Sequence, residues 1–170
     1  RKMIINLYVI IIMAFNQQDT ECMALALKLS KLGRGRVAAN PMVGCVITRD
    51  DKIIAQDYHR QYGESHAEVN ALDQINHKAH DCKVYVTLEP CSHQGKTPPC
   101  VKALINANVS KVFVATLDSN PEVSGSGVRL LRDSGIEVEV GLLENAALEV
   151  NRGFFKRMKT GLPFVTSKIA

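Results

Sequence analysis

The sequence predicts an α/β fold built on a mixed sheet, and three observations predict it. After residue 60, short apolar runs alternate with helical stretches, the pattern of parallel strands with helices on both faces of a sheet. Before residue 60, two apolar runs at 43–48 and 53–57 are joined by Asp50-Asp51, so they should pair as an antiparallel hairpin at one edge. The composition suits one globular domain: 170 residues, 46% hydrophobic and 22% charged. Aromatic residues make up only 5% and tryptophan is absent, so the core must be mostly aliphatic.

The elements follow in order. Arg1 and Lys2 precede a run that is apolar from Met3 to Phe15 except for Asn6. A basic start and an apolar run are features of a signal peptide, but no small-residue cleavage site follows, and the run is short for a bilayer span. Residues 1–12 are therefore read as an extension outside the domain, with Met13 a natural start. Asp19 or Thr20 is the expected cap of a helix reaching about Lys31, whose Leu25, Leu29 and Leu32 recur at helical spacing. Gly33-Arg34-Gly35-Arg36 ends it. After the hairpin a helix is expected over 66–75, with Ser65 as its cap, then a strand over 84–88. Thr97-Pro98-Pro99 should open a helix to about Ala107, with the prolines in its first turn. A strand over 112–116, a helix over 128–134 and a strand over 137–140 come next. Residues 142–159 read as helix interrupted at Gly153, and 164–167 as a final strand. The expected domain covers 13–150, with 151–170 a connector and the first strand of a following domain.

Two stretches carry chemistry: Ser65-His66-Ala67-Glu68, and the run from Glu89 to Cys100. They offer one imidazole, two thiols and a spare carboxylate. Three nitrogen or sulfur ligands with one open position describe a catalytic zinc site, because structural sites close all four positions with protein. The order H-x-E, then P-C, then a second cysteine is that of the zinc deaminases, in which the glutamate carries protons and does not ligate. Zinc brings the pKa of bound water down to about 7, so hydroxide becomes available at neutral pH to attack an amino-bearing ring carbon. On this reading His66, Cys91 and Cys100 hold the metal and Glu68 is catalytic. Ser65-x-x-Glu68 also fits a capping box, in which Glu68 would only close a helix end. Cys100, near a helix start, would have its thiolate favoured by the helix dipole.

The rest of the composition narrows the class. Five cysteines less the two in the motif leave Cys22, Cys45 and Cys82, expected as small apolar core residues in a reducing cytoplasm. A net charge of +4 is too mild to argue for nucleic acid.

The motifs H-A-E at 66–68, T-L-E-P-C-S-H at 87–93 and G-K-T-P-P-C at 95–100 resemble the deaminase domain of the bifunctional riboflavin-biosynthesis protein RibD. The resemblance runs from about Asp19 to the end. It includes N-P-M-V-G at 40–44, D-S-N-P at 118–121, G-S-G at 125–127 and N-R-G-F at 151–154. Eight residues separate Cys91 from Cys100, a longer loop than cytidine and tRNA-adenosine deaminases have. The resemblance implies a three-layer α/β/α cytidine-deaminase-like fold. It implies hydrolytic deamination of 2,5-diamino-6-ribosylamino-4(3H)-pyrimidinone 5′-phosphate, with one zinc ion per chain. It also implies that Asn40, His59, His93, Lys96, Asp118 and Asn120 line the substrate site. Those types suit a ribose phosphate: Lys96 offers a point charge, Asp118 accepts from hydroxyls, and the asparagines read polar edges. The sequence departs from the family at Ala39 and Ser119, where proline is common, and at Ser126, where a basic residue is common. The family's NADPH-dependent reductase domain would follow, so this chain is expected to deaminate and not reduce. Its expected partner is the small phosphorylated pyrimidine, with neither nucleic acid nor membrane, and a homo-oligomer is expected.

Two other classes compete. A nucleic-acid or nucleoside deaminase would use the basic tail of Arg152, Lys156, Arg157 and Lys159. A zinc-stabilised interaction module would need a fourth protein ligand, for which His93 is the nearby candidate.

Overall fold

The computed structural model describes residues 15–95, 97–119 and 124–169. The expected extension at 1–12 lies outside these. The chain builds a five-stranded sheet in the order β2-β1-β3-β4-β5, with β1 Gly44–Arg49, β2 Lys52–Tyr58, β3 Lys83–Val86, β4 Lys111–Val114 and β5 Glu137–Val140. The helices are α1 Gln17–Ser30, α2 Ala67–Asp73, α3 Cys100–Asn106, α4 Ser126–Asp133, α5 Glu144–Val150 and α6 Arg152–Thr160. β1 pairs antiparallel with both β2 and β3, while β3, β4 and β5 run parallel. This is the mixed sheet the alternation predicts. Asp50 and Asp51 both take positive φ, 47° and 61°, in the two-residue loop between Arg49 and Lys52. That is the turn whose twist matches paired strands.

The layers follow from which way each strand residue points. Cys45, Ile47, Val84, Val86, Val112 and Val114 face a core completed by Ala71 and Leu72 of α2, Leu104 of α3 and Leu131 of α4. Val46, Tyr85 and Phe113 face the other way, onto Met23, Ala26 and Leu27 of α1 and Ala147 of α5. Successive strand side chains alternate between faces, so strands covered on both sides read as unbroken apolar runs. Cys22, Cys45 and Cys82 are free thiols in these cores, and burial raises all three pKa values. Close packing also explains Gly44. A Cβ there would meet the Ala26 carbonyl oxygen at 2.0 Å, so α1 lies directly on the start of β1.

Several boundaries differ from expectation, each for a local reason. Asn16 caps α1 by accepting from the Asp19 amide at 2.8 Å, while Asp19 accepts from the Asn16 amide at 3.1 Å. Asp19 is thus the third helical residue of a capping box and not the cap. The break near the C-terminus falls at Asn151, not Gly153, because the buried Asn151 side chain is taken by Met42: the Met42 amide donates to Oδ1 at 2.8 Å and Nδ2 donates to the Met42 carbonyl at 2.9 Å. Residues 164–167 form no strand. They pair with none of the five strands, and Phe164 instead lies against α6, 4.5 Å from the Arg152 guanidinium. Among the described residues, no helix is long and apolar enough to cross a membrane.

Candidate active site

The site forms where the N-termini of α2 and α3 meet the end of β3. His66 is the N-cap of α2, extended at φ −74° and ψ 166°, and its side chain makes no capping bond. Its ring is turned to the cysteines instead: Nδ1 lies 3.2 Å from Cys100 Sγ and 3.5 Å from Cys91 Sγ. The Ser65 capping box therefore does not form. Ser65 lies one residue ahead of the cap, and Glu68 is the second helical residue, not the third.

Eight residues separate the two cysteines, yet the start of α3 joins them. A helix leaves its first amides without intrahelical partners. The Cys100 amide donates to Cys91 Sγ at 3.3 Å and the Val101 amide to the Cys91 carbonyl at 3.2 Å. Pro99 is the N-cap, so neither proline lies inside the helix. The ligand atoms of His66, Cys91 and Cys100 all lie within 4.8 Å of one another, and no further residue joins them among those described. A hydrogen bond from Cys100 holds the Cys91 thiol down to about 4, and His66 adds to the effect. Cys100 shifts the other way through its bond to that sulfur and its burial. One anionic sulfur is thus already favoured beside a second thiol and an imidazole. That sulfur-rich donor set, with three protein ligands, fits zinc with an open position.

Glu68 is 3% exposed and lines the cavity beside His66 and Cys91. Burial pushes its carboxyl up to about 7, only partly offset by His66. The cavity, about 420 Å³, is also lined by Asn40, His59, His93 and Asp118. His59 is 3% exposed, and its Nδ1 lies 3.1 Å from the Ser65 carbonyl oxygen. A carbonyl only accepts, so Nδ1 carries the proton. Burial lowers the His59 pKa, which favours the neutral ring. Nε2 is then a buried lone pair without a protein partner. His93 is exposed and stands apart from the three ligand atoms. Lys96 and Asn120 lie outside the described residues.

Sequence reasoning missed two contributors. Glu89, 5% exposed, accepts from four backbone amides, those of Asp118, Gly125, Gly127 and Val128, at 2.9–3.2 Å. It fastens to the end of β3 the loop that carries Asp118. Gly127 must be glycine for this approach, since a Cβ would meet the Pro90 carbonyl oxygen at 2.2 Å. Glu89 stands two residues before Cys91, which was the available signal. The second contributor is α6, whose Phe154, Arg157 and Met158 line the cavity. No local signal links them to His66, Cys91 and Cys100, more than fifty residues away.

Residues 16–116 match the family model described as the cytidine and deoxycytidylate deaminase zinc-binding region. A diaminohydroxyphosphoribosylamino-pyrimidine deaminase of Buchnera aphidicola subsp. Schizaphis graminum is 50% identical over 146 residues, which is 86% of this chain and 99% of that protein. The chain belongs to the riboflavin-biosynthesis branch of the cytidine-deaminase family. Riboflavin biosynthesis protein RibD of Escherichia coli (strain K12) is 49% identical over 152 residues, 89% of this chain but 41% of its own length. Acinetobacter baumannii RibD superposes with a TM-score of 0.84 at 48% identity, covering 87% of this chain and 42% of that one. The chain thus spans about two fifths of these RibD relatives and nearly the whole of the Buchnera deaminase. The three-layer cytidine-deaminase-like fold implied by the motifs is the fold of these structures.

Proposed function

We propose that this chain hydrolytically deaminates 2,5-diamino-6-ribosylamino-4(3H)-pyrimidinone 5′-phosphate, releasing ammonia, in riboflavin biosynthesis. The observation that carries this is the meeting of His66, Cys91 and Cys100 beside a buried Glu68 at one cavity. His66, Cys91 and Cys100 would hold one zinc ion. When bound, zinc lowers the pKa of a water molecule toward 7 and so supplies a nucleophile at neutral pH. Glu68 takes a proton from the attacking water and delivers one to the departing amine, so the exocyclic C–NH2 bond at a ring carbon is broken, a C=O forms at that carbon and ammonia leaves. A carboxyl buried on the cavity, whose desolvation raises its affinity for a proton, can do both.

The remaining residues orient the substrate. The His59 Nε2 lone pair accepts from a ring or amino N–H. Asn40 and Asp118 bond polar edges of ring and ribose, with His93, Lys96 and Asn120 completing the sugar-phosphate side. The small phosphorylated pyrimidine is the partner, and nucleic acid is not. Support comes from the basic tail, where Arg152 and Lys156 both lie over the Phe164 ring instead of forming an open basic surface. The open fourth position favours an enzyme over an interaction module. We place the enzyme in the cytoplasm as a homo-oligomer. Ammonia release from the diaminopyrimidinone phosphate by zinc-loaded protein tests the proposal. No release from that compound, in protein shown to hold zinc, rejects the substrate.

A further inference from the structure

The cavity has a wall that the catalytic motifs do not supply. Phe154, Arg157 and Met158 of α6 line it together with His66, Glu68 and Cys91. This helix is fixed to the loop that carries Asn40. Asn151, at its N-cap, holds both backbone groups of Met42, and Arg157 Nη2 donates to the Ala39 carbonyl at 2.7 Å. The bond to Ala39 ties the guanidinium of this exposed, cavity-lining arginine to the residue before Asn40. One such bond leaves other N–H groups of the fork available.

The charges around the cavity are lopsided. Its described lining includes the carboxylate side chains Glu64, Glu68, Glu89 and Asp118, and a single side chain with a fixed positive charge, Arg157. A phosphate ester entering there is repelled by the carboxylates and needs a cation with matched geometry, which a guanidinium provides. The reacting ring carbon must lie near Glu68, so the phosphate must extend toward the rim. We propose that Arg157 binds the substrate's phosphate, and that Phe154 and Met158 form the apolar wall alongside it. α6 is then part of the substrate site and not a connector. This rests on the phosphorylated substrate assigned above.

The test uses Arg157→Gln in the zinc-loaded protein. Glutamine can still donate toward Ala39 but carries no charge, so the loop is kept while the phosphate contact is lost. A charge-assisted bond of this kind is worth roughly tenfold to a hundredfold in affinity. KM for the phosphorylated substrate should therefore rise by roughly that factor with kcat near wild type, while the dephosphorylated riboside is used equally by both proteins. Ribose 5-phosphate should raise the melting temperature of wild type and not of Arg157→Gln. Equal losses on both substrates, or no loss on either, overturn the assignment. If ribose 5-phosphate stabilises wild type through Arg157 but no ammonia is released from the pyrimidine, the proposed substrate falls while the phosphate site stands.

Discussion

At the scale of single residues, Glu68 is where the catalytic and capping readings separate. Its carboxylate cannot close a capping box, because His66 and not Ser65 caps α2. It is buried on the cavity, where desolvation keeps its proton available near neutral pH. Glu68→Gln preserves length and neutral packing but removes the proton carrier. Turnover should fall at least ~10²-fold, since general acid–base catalysis contributes about 10²–10⁴. Zinc content and melting temperature should stay near wild type. Turnover within a few-fold of wild type would show that Glu68 moves no proton. Glu89 has an equally buried carboxylate with a different task. Four amides converge on it, so it positions a loop and its lone pairs are already taken.

At the scale of elements, α1 shows how one residue can serve two layers. Asp19 closes the helix start and also accepts from Tyr85 Oη on β3 at 2.8 Å, beneath a ring stacked on Phe113 at 4.8 Å. Asn16→Ala should cost about 1 kcal/mol, the usual worth of a cap. Asp19→Ala should cost more, about 2–3 kcal/mol, because it also removes the acceptor of the buried Tyr85 hydroxyl's bond. Urea denaturation of both variants measures the difference, and equal costs would remove the Tyr85 contribution. β2 and α2 are joined through Asp57. Burial alone pushes its carboxyl upward, but bonds from Arg60, the Tyr58 amide and Gln74 outweigh this and hold it below the usual value. Folded Asp57 therefore binds its proton less readily than unfolded Asp57. Its stabilisation is complete above the unfolded pKa, about 3.9, and is lost as pH falls through the folded value. Asp57→Asn should lower stability at pH 7 by about 1–3 kcal/mol and flatten the melting-temperature profile below about pH 4. An unchanged acid slope would show that the carboxylate is not the source.

At the scale of the whole molecule, the proposed metal ligands His66, Cys91 and Cys100 come from two helix starts and the loop after β3. Metal and fold should therefore be linked. Cys91→Ser and Cys100→Ser should each lower zinc below one ion per chain, measured by mass spectrometry, and reduce the melting temperature. Each 1 kcal/mol lost is worth about 2–4 °C in a chain of this size. Chelation of wild type should reproduce the shift. Full zinc retention in both variants would rule out the ligand set.

Read by itself, the sequence determined the fold class and the succession of the five strands along the chain, and it singled out His66, Glu68, Cys91 and Cys100, which the fold brings to one cavity. Strand alternation and a fixed order of His, Glu, Cys and Cys are local patterns, and local patterns survive in one dimension. Only the tertiary structure decided where α1 and α2 begin, because competing caps one to four residues apart are separated by what their side chains meet in space. His66 gives up capping to face two sulfurs, and Asp19 is drawn inward by Tyr85. Tertiary structure alone also decided that α6 belongs to the cavity. Asn151 meets Met42 across 109 residues and Arg157 meets Ala39 across 118. Such contacts come from packing helices on a sheet, and no spacing in the sequence encodes them.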